Sequence, residues 1–342
     1  MPDRVNRRWL VDKPLSGIVS EANFRWDESK IPPVEPGKFL VRNRWLSVDP
    51  TQAILLRLGD PPGSAAPIGQ VPWSLSVSEV LESRHPDFSP GDIVHGEMGW
   101  EDFSLSDGTG FNAAYRIPPG IPLRWAAGAL GLTGLVAYFG VHEVARPKKG
   151  ETFVISGAAG GVGSIASQLA KIAGLQVIGI AGSTAKCDWL LTEAGVDAAV
   201  NYRQEDVGQR LTELCPDGID IFFDTVGGPV LELALGRLRT GGRIVLCGRT
   251  AEYLADKPSP GPSNLTQLIM VNGRIEGFLG RDFLARRTEA FDAMLPLLRS
   301  GRLKSKEDVV VGLRQAPNGL ARLLSGENVG KQLLRMDGEP DS

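Results

Sequence analysis

Residues 151–173, ETFVISGAAGGVGSIASQLAKIA, set Gly157, Gly160, Gly161 and Gly163 between two apolar runs, and this spacing can do chemistry. Residues 152–156 form a short apolar run rich in β-branched types, and residues 164–173 place Ile165, Leu169 and Ile172 on one face at helical spacing. A glycine turn that feeds a helix offers free backbone N–H groups and the positive end of the helix dipole. That combination suits a pyrophosphate which must approach the main chain closely. The spacing Ala158-x-Gly160-x-x-Gly163 departs from the usual Gly-x-Gly-x-x-Gly by one alanine. The same turn also serves as a plain strand-to-helix connection with no ligand, so the flanking sequence must decide.

An NAD site carries an acid at the end of the second strand, roughly 20 residues past the glycine turn, where it bonds the ribose 2′-hydroxyl. Here that place reads Ala181-Gly182-Ser183, and the first carboxylate is Asp188. Ser183, Lys186 and Tyr202 together suit a 2′-phosphate, so the chain is expected to prefer NADP over NAD. The other reading of Lys186 is a solvated helix face, where most lysines sit. The histidines His85, His95 and His142 and the cysteines Cys187, Cys215 and Cys247 show no ligand-like spacing. No metal site and no disulfide framework is expected, and a reducing, cytoplasmic setting fits.

These residues need a scaffold, and 342 residues are too many for one typical core, which predicts two domains. A net charge of −3 with no long basic run gives no sign of a nucleic-acid or anionic membrane surface. Around Arg4, Arg7 and Arg8 the N-terminus lacks an apolar core of signal-peptide length, so the mature chain is expected to start where the gene does. The uncharged run 125–141 is shorter than the about 20 residues a membrane span requires and is broken by Gly128, Gly131, Gly134 and Gly140. It reads as a buried helix pair.

Up to about residue 122 the pattern is short strands, at 38–48, 71–82 and 92–94, with almost no helix signal. Turns recur at Pro36-Gly37, Pro61-Pro62-Gly63, Pro90-Gly91 and Pro118-Pro119-Gly120, as a small barrel requires. After residue 125 strand and helix alternate. Strands are predicted at 176–181, 197–200, 219–226, 243–247 and 275–278, and helices at 185–194, 205–214, 229–238, 263–272 and 281–300. That alternation argues for a doubly wound, nucleotide-binding parallel sheet. Residues 308–336 return to strand, helix, strand and are too short to fold alone. They are expected to rejoin the N-terminal domain, giving one domain of 1–125 plus 308–342 and an inserted one of 126–307.

In this order the motifs resemble the zinc-free prostaglandin reductase and alkenal double-bond reductase branch of the medium-chain dehydrogenase/reductase superfamily. The matching pieces are Leu46-Ser47-Val48-Asp49-Pro50, Gly91-Asp92-x-Val94 with Gly99-Trp100, Gly131-Leu132-Thr133-Gly134, the glycine turn, and Asp224-x-Val226-Gly227-Gly228. Gly261-Pro262-x-Asn264-Leu265, Ile275-Glu276-Gly277-Phe278 and Asn328-x-Gly330-Lys331 complete the set. The resemblance implies an α/β protein with a Rossmann domain inserted into a GroES-like β-barrel domain. It also implies NADPH as hydride donor, a small α,β-unsaturated carbonyl as substrate, and a homodimer.

Carried over by position, Gly160, Gly161, Val162 and Gly163 would hold the pyrophosphate, and Lys186 and Tyr202, with Ser183, the 2′-phosphate. Cys247, Gly248, Arg249 and Thr250 would flank the nicotinamide half with Phe278, Leu279 and Gly280, and Asn328 would reach in from the terminal segment. Thr133 and Thr225 are further expected cofactor contacts, and Tyr253 takes the place of the family's active-site tyrosine. The family usually reads Asp-Pro-Tyr-Met-Arg where this chain has Asp49-Pro50-Thr51-Gln52-Ala53, and often Asn where it has Thr225. Hydride addition at a β-carbon leaves charge on the carbonyl oxygen, which calls for a hydrogen-bond donor. Tyr253 and the ribose hydroxyl are the candidates, with packing as the other role open to Tyr253. Two further functions stay open, an NADPH quinone reductase and a non-catalytic NADPH sensor or scaffold.

Overall fold

The computed structural model describes residues 5–15, 17–57, 68–253 and 260–340, so the turn expected at Pro61, Pro62 and Gly63 lies outside the described residues. The chain divides into two compact units. One comprises Met1–Gly131, Glu307–Asn328 and Gln332–Ser342, the other Leu132–Lys306 and Val329–Lys331.

The first unit contains strands Val5–Val11 (β1), Phe24–Lys30 (β2), Phe39–Ser47 (β3), Trp73–Ser83 (β4), Ile93–Gly99 (β5), Phe103–Ser106 (β6) and Tyr115–Arg116 (β7). β3 is its spine. Its sheet runs Glu307–Val311, Lys331–Arg335, β3, β4, β5, β7, with β6 paired to β3 and β1–β2 forming a separate hairpin. Phe39 and Val41 of β3 pack with Val80, Phe88, Val94 and Met98. Asn43, on the same strand, is buried but satisfied. Its side chain accepts from Ser76 at 3.1 Å and Ser78 at 2.8 Å and donates to Glu101 O at 2.7 Å.

Two features of this unit depart from the sequence reading. The segment expected to lack helix has one at Thr51–Leu56, where buried Gln52 accepts from the Asp49 amide at 3.0 Å and donates to Trp73 O at 2.7 Å. The β1–β2 hairpin was not foreseen either. It is closed by the cross-strand pair Arg8–Asp27 at 2.7 Å and by edge-to-face Trp9 and Trp26, 5.2 Å apart.

Among its described residues the second unit has six strands, Thr152–Ile155 (β8), Gln176–Ala181 (β9), Ala198–Asn201 (β10), Ile219–Asp224 (β11), Leu238–Leu246 (β12) and Arg274–Gly277 (β13). All pair in parallel, in the order β10-β9-β8-β11-β12-β13. This is the 3-2-1-4-5-6 order of the doubly wound dinucleotide fold, with its switch point between β8 and β11. Burial explains the apolar strands: Phe153, Val154, Ile155, Ile221, Phe222 and Phe223 are fully enclosed.

The uncharged run becomes helices Leu123–Ala127 and Leu132–Phe139 followed by a π turn, Gly140–Ala145. Among the described residues no helix is long and apolar enough to cross a membrane. The helix expected at 263–272 shrinks to Gln267–Val271, and that at 281–300 opens as a 3-10 turn, Gly280–Arg286, before Arg287–Arg299.

Arg243 fastens the end of the π turn. It is buried, donates to Ala145 O at 2.6 Å and Arg146 O at 3.0 Å, and pairs with Glu151. Burial pushes the Glu151 carboxyl up, but the Arg243 and Lys148 hydrogen bonds and charges outweigh it and leave the carboxyl below its ordinary range. Arg243→Met should therefore cost about 3–5 kcal/mol in urea unfolding at neutral pH, since it strands a carboxylate and two carbonyls. A carboxyl depressed in the fold stabilises above its unfolded value and loses that contribution as pH falls through the folded one. The deficit should accordingly shrink below about pH 4. A deficit under 1 kcal/mol at neutral pH, or one that is constant with pH, would count against the pair.

Candidate active site

Strand β8 runs straight into the glycine turn, and the turn into the helix Gly161–Ile172. Gly157 sits at φ 58°, in the left-handed region that favours glycine. A Cβ on Gly163 would collide with Gly157 O and lie 2.9 Å from Ala158 Cα, so helix and turn can approach this closely only through glycine. A Cβ on Gly161 would lie 3.1 Å from both Thr133 Cγ2 and Lys331 Cδ. Gly160 bridges Gly330, whose amide donates to Ala159 O at 2.7 Å. The first-turn amides of Gly161, Val162 and Gly163 have no carbonyl one turn back within the helix. Donors, dipole and the lack of side-chain bulk fit a pyrophosphate.

A second turn, after β11, is tied to the first. Asp224 is fully buried, and its Oδ1 accepts from Ser156 Oγ at 2.6 Å and from the Val226 and Gly227 amides at 3.0 Å each. Thr225 adds two bonds: its amide donates to Ser156 Oγ and its hydroxyl to Ser156 O, both at 2.9 Å. The Thr225 carbonyl accepts from the Thr250 amide at 3.3 Å and the Thr250 hydroxyl at 3.2 Å. The segment Cys247–Thr250 is thereby hung from the switch point. Ser156 and Asp224 were not among the expected site residues. The signal for Asp224 was present as a charge closing the apolar run Ile221-Phe222-Phe223 of β11.

Tyr253 follows the 3-10 turn Thr250–Glu252, and its hydroxyl lies 3.7 Å from where a Gly248 Cβ would stand. Burial pushes its phenol above the ordinary value, offset in part by a backbone hydrogen bond from Arg249. Burial, with Asp224 beside it, pushes the Cys247 thiol up to about 12, so it stays a thiol at neutral pH. Phe278 lies against Gly140, where a Cβ would be 2.9 Å from its ring, and Gly280 lies against Val136. Leu279 is 52% exposed. Asn328 is buried and belongs to the first unit, whereas Val329–Lys331 belong to the second.

At the far end of β9, Ser183 caps the helix Thr184–Thr192, its hydroxyl accepting from the Lys186 amide at 3.3 Å. The Tyr202 hydroxyl lies 2.7 Å from where a Gly182 Cβ would be. Ser183 and the Tyr202 ring therefore meet at the end of β9, and Lys186 lies in the first turn of the helix that follows. Among the described residues no group of three or more His, Cys, Asp or Glu is placed to hold a metal ion. His95 is buried on Asn112 at 3.1 Å, and His85 Nδ1 accepts from the Asp87 amide at 3.1 Å. Activity should survive exhaustive chelation, and elemental analysis should find no stoichiometric zinc. Zinc that tracks activity through repeated purification would overturn that expectation.

A doubly wound sheet with a glycine turn at its switch point, in a chain that also builds an antiparallel unit, is the architecture of a dinucleotide-binding protein. The comparisons agree: residues 7–114 match the N-terminal domain of oxidoreductase, and residues 161–300 match the family described as zinc-binding dehydrogenase. The chain is 34% identical to NADPH-dependent curcumin reductase of Escherichia coli strain K12 and 39% identical to 2-alkenal reductase (NADP(+)-dependent) of Nicotiana tabacum. Each alignment covers 98% of both chains. The crystal structure of CurA in complex with NADPH from Vibrio vulnificus superposes with a TM-score of 0.90 at 31% identity, covering 98% of this chain and 100% of that one. The chain belongs to the medium-chain dehydrogenase/reductase family, in its alkenal and prostaglandin reductase branch.

Proposed function

We propose that this chain reduces the carbon–carbon double bond of α,β-unsaturated aldehydes and ketones, using NADPH. The observation that carries the reading is Tyr253, a half-buried phenol whose partial burial favours its protonated form, beside the turn that hangs from the switch point. The full-length likeness to reductases named for curcumin and for alkenals supports it. When bound, NADPH supplies the hydride for the β-carbon of the substrate.

The chain's own residues then have distinct tasks. Gly160, Gly161, Val162 and Gly163 hold the pyrophosphate through their amides, and Ser183, Lys186 and Tyr202 hold the 2′-phosphate. Cys247, Gly248, Arg249, Thr250, Phe278, Leu279, Gly280 and Asn328 flank the nicotinamide half, and Thr133 and Thr225 are further cofactor contacts. Tyr253 donates its Oη proton in a hydrogen bond to the carbonyl oxygen as charge develops there. Thr51, in place of the larger residue usual in the family, favours bulkier enones over small enals. A cytoplasmic homodimer with no nucleic-acid or membrane partner completes the reading, and light scattering and cell fractionation test it.

NADPH oxidation with a panel of enals, enones and quinones tests the reaction. Turnover of enones, fastest for the bulky ones, is the expected result. Turnover of quinones alone would make the chain a quinone reductase, and binding without any turnover would make it a sensor. Either would sink the proposal.

A further inference from the structure

Tyr202 is 48% exposed, at the first position beyond β10, and its amide donates to Ala181 O at 3.0 Å. The parallel register closes with Asn201 beside Ala181, and the chain then turns, so Tyr202 stays at the end of β9 while Arg203 lies in the turn that follows. With its hydroxyl over Gly182, the phenol closes on the strand end where this fold receives the adenosine ribose. Arg203 comes next, its guanidinium over the Tyr202 ring, 5.8 Å from the centroid.

The turn that presents Arg203 is fixed. Its amide donates to Asn201 Oδ1 at 3.2 Å, while the Asn201 amide donates to Glu205 Oε1 at 2.7 Å and Asn201 Nδ2 to Gln204 at 3.1 Å. Glu205, the nearest acid in sequence, is also engaged by Arg210 at 2.9 Å. Two adjacent strand ends thus each contribute a cation, Lys186 after β9 and Arg203 after β10.

We propose that Arg203 is a specificity-determining residue that reads the 2′-phosphate together with Lys186, using the Tyr202 ring as the surface that orients its guanidinium. This rests on the NADPH reading above. A phosphate monoester carries nearly two charges at neutral pH and three acceptor oxygens, more than one ammonium can satisfy. A planar guanidinium adds a bidentate fork, and lying on an aromatic face restricts it before the phosphate arrives.

The test is calorimetric binding of NADPH, NADH, 2′,5′-ADP and 5′-AMP to the wild type and to Arg203→Gln, Arg203→Lys and Lys186→Ala. Arg203→Gln should weaken NADPH and 2′,5′-ADP about tenfold, the scale of one charge-assisted bond, and leave NADH and 5′-AMP within about twofold. Arg203→Lys should recover part of the loss, and Lys186→Ala should show the same selectivity for the phosphate. If the wild type strongly prefers NADPH and Arg203→Gln keeps that preference whole, the Arg203 proposal alone is overturned. Equal losses for NADPH and NADH overturn it as well. If the wild type itself binds NADPH no tighter than NADH, the cofactor reading falls and takes this proposal with it.

Discussion

Tyr253→Phe should lower the single-turnover rate of NADPH oxidation by a bulky enone about a hundredfold, the scale of one lost oxyanion donor, with NADPH affinity unchanged. The substitution removes one hydroxyl and keeps the ring, so packing over Gly248 survives while the donor does not. Because burial pushes the phenol above its ordinary value, the proton stays on Tyr253 throughout the neutral range. The wild-type rate should fall only as pH climbs past about 10, and the Phe variant should lack that alkaline limb. A Phe variant as fast as the wild type would reduce Tyr253 to a packing residue.

Gly163→Ala should weaken NADPH binding by at least about a hundredfold and destabilise the fold by about 1–3 kcal/mol, the usual cost of overpacking. The added methyl meets Gly157 O, a backbone atom with little freedom to retreat. Gly157 is held at positive φ, and Thr225 Oγ1 lies 2.5 Å from where its own Cβ would point. Gly160→Ala provides the contrast. There the added atom meets only Gly157 O, at 3.2 Å, a tight contact but not a collision, so the loss of stability should be clearly smaller than for Gly163→Ala even if the crowded cradle binds less well. Thermal melts and titrations on both variants distinguish the cases, and a Gly163→Ala protein that melts and binds like wild type would contradict the packing described.

Much of the nucleotide unit was legible in the sequence. Strand β9 falls on the predicted residues 176–181, and β8, β10 and β11 within two residues or so, because buried parallel strands read as short apolar runs between turn residues. Where burial weakens, so does legibility. Residues 263–272 carry Leu265, Ile269 and Met270 exposed, and only Gln267–Val271 keeps helical geometry. The helix Thr51–Leu56 is short and gains its hold from Gln52 reaching Trp73, a contact between residues far apart in sequence. The β1–β2 hairpin hid for the same reason: its charged residues make sense only once Arg8 faces Asp27.

The site divides along the same line. Its glycines and the missing acid after β9 were readable because each follows from local geometry or charge. Ser156 and Asp224 were not, since their role lies in joining the turns after β8 and β11, which are 69 residues apart at the bond between Thr225 and Ser156. Ala53 is a different lesson. Where the family usually has arginine, this side chain is wholly enclosed, so the departure from the family reflects local packing as well as substrate choice.

The central claim is hydride delivery to the β-carbon of an enone. It is tested most directly by running the reaction with NADPH deuterated at its transferable position and locating the label in the product by NMR. The account predicts a saturated ketone with deuterium on the β-carbon. An allylic alcohol with deuterium on the carbonyl carbon, or a product without label, would contradict it.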